Sequence, residues 1–160
     1  RVPESIRLWS EGYGQEIFLT EEKSSNAKFR HLVVSNLDFA KAVSSENTKK
    51  INWKVLPSQD GGATSTFDDA ADALKYAKEN DSERLIIVTD HFHTRRAFCA
   101  FEKVFKDSGI QVQVAGADND IFNATNWWKS DRGILTYFSE TIKYPIYLLW
   151  DSEPKVVNNH

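Results

Sequence analysis

A chain of 160 residues is the length of one ordinary domain and is long enough to bury a sizeable core. Hydrophobic residues make up 41% and charged residues 27%, the balance of a soluble globular protein, and no apolar run approaches the length that crosses a bilayer. The net charge of −3, with both signs interspersed and no basic tail, gives no electrostatic reason to expect a nucleic-acid partner.

The first helix is expected over Val2–Tyr13, where Ile6, Leu8 and Trp9 are apolar and Gly12 stands near the end. Ile17, Phe18 and Leu19 then read as a short strand ending at Thr20. From Ser25 to Val43 the residues Phe29, Leu32, Val33, Leu37, Ala40 and Val43 recur at helical spacing. Ile51, Trp53 and Val55 alternate as a strand that stops at Pro57. After Gly61 and Gly62, Ser65 or Thr66 caps a helix running to about Asn80. Asp68 and Asp69 fall in its first turn, where carboxylates complement the helix dipole.

Leu85–Val88 is a continuous apolar run, the pattern of a strand covered on both faces. His93–Lys106 is helical, with Ala97, Phe98, Phe101, Val104 and Phe105 expected inward. Ile110, Val112 and Val114 form a further strand. A last helix is expected from Trp127 to about Trp150, kinked near Pro145.

Strands alternating with helices imply an α/β fold with a mostly parallel sheet and helices on both faces. Such a fold usually opens on a strand, whereas this chain opens on a helix and shows four strands. A first strand is therefore expected to be missing. The chain begins at Arg1 and contains no methionine, which fits a processed or truncated protein whose upstream signal or anchor has been removed. The single cysteine, Cys99, cannot form an internal disulfide and assigns no redox compartment.

Chemistry-bearing groups crowd the strand-to-helix corner at Thr89, Asp90, His91, His93, Arg95 and Arg96. Ligands of α/β proteins usually bind at such corners. His93 and Arg96, three apart, share a helix face. His93 could exchange protons near neutral pH, and Arg96 could hold a carboxylate or phosphate by two parallel hydrogen bonds. The bland alternative has His93 capping the helix and Arg95 solvated. His91-x-His93, with Asp90, invites a metal reading, but no further ligand stands at a recognised spacing and no metal is expected.

Gly61–Asp69, GGATSTFDD, could expose N–H groups to a phosphate, but it lacks the lysine and glycine spacing of a P-loop. Without other information an ordinary capped turn is the reading to expect. Adjacent Trp127 and Trp128 cannot share one helix face, and Glu140 and Lys143 are spaced to pair. No Gly-x-Ser-x-Gly elbow is present.

In order and spacing these segments resemble the ElyC/SanA/YdcF-like family of bacterial proteins, over nearly the whole chain. Arg1, Leu8, Gly12 and the strand IFLT resemble its opening helix and second strand. Ser65-Thr66-Phe67-Asp68-Asp69-Ala70 resembles its S-T-x-E-N-A element, with Asp68 and Asp69 where the family usually has Glu and Asn. Thr89 to Ala97 resembles its V-T-S-x-x-H-x-x-R-A motif, and Asn126-Trp127-Trp128 with Glu140-x-x-Lys143 its C-terminal signature. The family's first strand and glycine-rich turn have no counterpart here.

The resemblance implies a Rossmann-like three-layer sandwich lacking its first strand. It also implies a bacterial cell-envelope setting, with membrane attachment through an absent N-terminal segment. A cytoplasmic location is the alternative. The functional expectation is a domain that binds or processes a phosphorylated small molecule or lipid-carrier phosphate. His93 would be the acid or base, with Arg96, Thr89, Thr66, Ser65, Asp69 and His91 around the anion. One branch of the family is associated with S-adenosylmethionine, so a domain binding that cofactor or a nucleotide is the alternative. A non-catalytic interaction module using the last helix near Tyr147 and Trp150 is the third reading.

Overall fold

The computed structural model describes residues 1–20, 34–45, 50–58 and 62–150. The chain divides into two compact units, Arg1–Tyr76 and Ala77–His160. In order, the elements are α1 (Val2–Ser10), β1 (Ile17–Leu19), α2 (Asn36–Ser44), β2 (Trp53–Val55), α3 (Thr66–Glu79), β3 (Arg84–Asp90), α4 (Thr94–Phe105), β4 (Gln111–Ala117) and α5 (Asp131–Leu149).

In the first unit β1 and β2 pair in parallel, with Ile17 beside Trp53 and Leu19 beside Val55. Their core is Ile6, Ile17, Ala40 and Trp53, with Val2, Trp9 and Leu37 packed against it. The Trp53 indole N–H is satisfied by Ser44 Oγ at 3.0 Å. Helix α1 stops three residues earlier than expected, because Gly12 turns the chain at φ +85°. The helix expected from Ser25 is also corrected. Its start falls on residues outside the described ones, but Val34 is non-helical and Ser35 caps a new helix by accepting from the Asp38 N–H. Serine hydroxyls compete for backbone donors, so Ser35 begins a helix where the apolar spacing ran on unbroken.

In the second unit β3 and β4 pair in parallel over seven residues, from Arg84 beside Gln111 to Asp90 beside Ala117. The crossover between them is α4, whose residues Ala97, Ala100, Phe101 and Phe105 are buried. Phe98, expected inward, is 42% exposed. It sits about 100° round the helix from Ala97, at the rim of the apolar stripe.

The last helix starts at Asp131 rather than Trp127. Residues Trp127–Lys129 form one tight turn, and Ser130 caps α5 by accepting from the Gly133 N–H at 3.0 Å. Glycine is required there, since a Cβ on Gly133 would stand 2.2 Å from the Trp127 carbonyl oxygen. Pro145 lies inside α5, which continues to Leu149. Lys103 of α4 donates to the carbonyls of Tyr147, Leu148 and Trp150 at 2.8, 2.8 and 2.7 Å, closing the end of α5 with a positive charge.

The fold class is thus mixed α/β with short parallel strand pairs, each strand having one neighbour among the described residues. No described helix is long and apolar enough to cross a membrane.

Candidate functional site

Strand β3 ends at Asp90, and a single 3-10 turn, His91–His93, delivers the chain into α4. No side chain caps the start of α4. Thr94 gives its N–H to the His91 carbonyl of the preceding turn, and the helix dipole favours an anion at this end of α4.

His93 turns its ring towards α5. Its Nδ1 lies 3.5 Å from Glu140 Oε2. One turn along α4, Arg96 closes on the same carboxylate with two hydrogen bonds, Nε to Oε2 and Nη2 to Oε1, each 2.8 Å. The guanidinium also lies over the Tyr147 ring, 4.9 Å from its centroid. The three side chains are only 16, 11 and 15% exposed, so the cluster is a largely dry constellation of one carboxylate, one imidazole and one guanidinium.

Electrostatics follow from that geometry. Burial alone would raise the Glu140 carboxyl, but hydrogen bonds from Arg96 and His93 outweigh it and hold the group down at about 2. Burial works against the Arg96 cation, and Glu140 more than restores it, so Arg96 is raised above its ordinary value. The pair stays ionised throughout the physiological range. Nδ1 is the His93 ring atom turned to Glu140.

Arg96 makes its two parallel hydrogen bonds to an internal carboxylate. An incoming anion would meet Arg96 already paired. Glu140 is the residue that sequence reasoning missed, because its spacing pointed to Lys143 on its own helix. Its partners are instead Arg96 on α4 and His93 in the turn before it. One signal was available: Glu140 is the sole acidic residue of α5 beyond Asp131, and a carboxylate isolated on an apolar helix needs a cation from elsewhere.

His91 goes a different way. Its Nε2 approaches Asp118 Oδ1 at 3.3 Å, with both side chains well exposed. Its ring lies over Gly116, where a Cβ would stand 2.2 Å from Nδ1. His91 and His93 thus serve separate partners. Among the described residues no three His, Cys, Asp or Glu side chains gather as a metal site would require. Thr89 is buried at the end of β3, and Arg95 is exposed. Cys99 is buried on α4.

Beneath the turn lies an aromatic cluster. Phe92 stacks on the buried Phe122 at 5.4 Å, and both reach Tyr137. Trp127 stacks on Tyr137 at 5.0 Å, while Trp128 is 53% exposed. The two tryptophans divide between packing and solvent, as adjacent residues must.

Ser65, Thr66 and Asp69 belong to the start of α3 in the first unit. Ser65 is the cap: its Oγ accepts from the Asp68 N–H at 3.2 Å, and Asp68 accepts in return from the Ser65 N–H at 3.0 Å. The same carboxylate accepts from the Thr64 N–H and hydroxyl. Burial would raise the Asp68 carboxyl, but these hydrogen bonds lower it. The N–H groups of Thr64 and Ser65, which a phosphate would have needed, are held by the protein's own carboxylate. Thr66 is buried and Asp69 half-buried. This loop is a reciprocal capping box. A comparison of the chain with protein-family models, curated proteins and solved structures returns no match.

Proposed function

We propose that the second unit binds a phosphorylated small molecule or lipid-carrier phosphate at the carboxyl end of β3, with His93 exchanging a proton with the bound anion. The observation that carries this reading is the His93–Glu140 contact at the uncapped start of α4. The dipole of α4 favours an anion at this end of the helix. Glu140 holds the imidazole by Nδ1, so Nε2 is the ring atom that would meet the ligand. Arg96 then has a definite task. Without it, the Glu140 carboxylate would repel a phosphate; paired with it, the carboxylate can orient His93 at no net negative charge. Arg96 is thus a positioning residue, and His93 is the group that would touch ligand.

The finer fold reading belongs to the same proposal. A Rossmann-like three-layer domain of the ElyC/SanA/YdcF-like kind, in a cell-envelope setting, is supported by parallel strand pairing with α4 as the crossover. It is supported also by the spacing of His93 and Arg96.

The test is a thermal-shift panel on the wild type and on His93→Ala. The ligands are inorganic phosphate, a phosphomonoester, a short polyprenyl phosphate, adenine nucleotides and S-adenosylmethionine. Ligand at a hundred times its Kd stabilises by about 2.7 kcal/mol, an easily read shift. The proposal expects phosphate-bearing ligands to stabilise the wild type and not the variant. Stabilisation by S-adenosylmethionine or adenine nucleotides alone would favour the cofactor-binding alternative, and no response to inorganic phosphate, the phosphomonoester or the polyprenyl phosphate would overturn the proposal.

A further inference from the structure

Helix α5 is apolar on two opposite sides. Its inner side carries Gly133, Tyr137, Glu140 and Tyr147, the residues that engage the 3-10 turn, the aromatic cluster and α4. About 180° round the helix, Leu135, Phe138, Ile142, Ile146 and Leu149 lie within a single narrow stripe. All five are well exposed, from 48% at Ile142 and Ile146 to 87% at Leu149. A helix apolar all round is a buried helix, and an exposed apolar stripe of this length marks an interaction surface.

The spacing of the stripe names its occupant. Successive steps are three, four, four and three residues, so the pattern reads the same in both directions about Ile142. Two antiparallel copies related by a two-fold axis through Ile142 would set Leu135 against Leu149 of the second copy and Phe138 against Ile146. Ile142 would meet itself. Phe138, Ile142 and Ile146 also form one i, i+4 ridge, and packing two such ridges is the commonest helix crossing in globular proteins. We propose that this face is a two-fold interface between copies of this chain, with Ile142 on the axis.

Charge agrees. Between Leu135 and Leu149 the charged residues are Glu140, held inward by Arg96, and Lys143 at the edge of the stripe. No like charges would meet across the axis. A helix lying on an anionic membrane would instead carry basic residues along both sides of the stripe, whereas α5 has Arg132 and Lys143 along one edge only. The area is modest. Five such side chains bury roughly 500 Å² per copy, about 1,000 Å² in total, the lower bound of a specific interface. The dimer is therefore expected to be weak, with Kd in the micromolar range.

Sedimentation velocity over a concentration series from low to several hundred micromolar tests this. The wild type should pass from monomer to dimer. Ile142→Glu should remain monomeric with unchanged circular dichroism, because it sets two carboxylates face to face at an exposed position. An equimolar mixture of Ile142→Glu and Ile142→Lys should dimerise again, since only a residue on the axis meets its own counterpart. A wild type that stays monomeric throughout, or a dimer indifferent to Ile142→Glu, overturns the proposal. So does a monomer whose α5 face binds vesicles of anionic phospholipid in an Ile142-dependent way, which would assign the stripe to a lipid surface.

Discussion

Replacing Glu140 by glutamine keeps the shape of the side chain and removes its charge. The Arg96 guanidinium, 11% exposed, then has a neutral partner, and His93 loses the carboxylate at its Nδ1. The native carboxyl sits at about 2 against an ordinary 4.5. Each tenfold change in proton affinity is worth about 1.4 kcal/mol, so ionisation of Glu140 contributes about 3 kcal/mol as a ceiling. Solvent still reaches the pair, which lowers the working figure to about 2 kcal/mol. That lies just below the roughly 3–5 kcal/mol lost when one partner of a fully buried pair is removed. In a chain of this length it corresponds to about 4–8 °C in Tm.

The pH dependence has a fixed sign. The native carboxyl titrates below the unfolded one, so the stabilisation is complete above the unfolded value near 4.5 and disappears as pH falls through the native value near 2. Urea denaturation of wild type and Glu140→Gln at pH 7, 4 and 2.5 reads this directly. The stability gap should be full at pH 7, smaller at pH 4 and mostly gone at pH 2.5. Other acid-labile groups, Asp68 among them, cancel in the difference. A gap below about half a kcal/mol at neutral pH, or one independent of pH, would mean that the Glu140 charge does not stabilise the fold.

Arg96→Lys keeps the charge but loses the planar fork and its place over Tyr147; a cost of about 1–2 kcal/mol is expected by denaturation, with little further loss when combined with Glu140→Gln. Gly133→Ala drives a methyl group into the Trp127 carbonyl, and about 2 kcal/mol of destabilisation with loss of the near-ultraviolet signal of the Trp127–Tyr137 stack should follow. An unchanged spectrum would mean that the turn does not depend on that glycine. Ser65→Ala removes the α3 cap and should cost about 1 kcal/mol by the same denaturation assay, while leaving phosphate binding in the second unit intact.

Much of the local structure was legible in the sequence. The alternation at Trp53–Val55, the apolar run of β3 and the buried face of α4 follow from side-chain period alone. A hydroxyl cap at Ser65 or Thr66 was legible from the two carboxylates that follow, and the fold uses Ser65. Boundaries were less legible. Phe98 fell on the rim of its stripe, and the last helix began late because the Gly133–Trp127 approach is a close contact that no periodicity registers. The site was half legible. His93 and Arg96 stand at the expected corner, but their shared partner comes from a helix more than forty residues further on. A pairing across that separation depends on how α4 packs against α5. The sequence offered only a nearer lysine, and the closer charge was not the one chosen by the fold.

His93, oriented by Glu140, is proposed to face a bound phosphate. Two-bond nitrogen–proton spectra of the histidine rings, recorded while a phosphomonoester is added, test it most directly. The account predicts that the His93 Nε2 resonance moves in a saturable manner, that His91 moves much less, and that Glu140→Gln weakens the response. A titration in which the His93 ring does not move, or in which His91 alone responds, would contradict it.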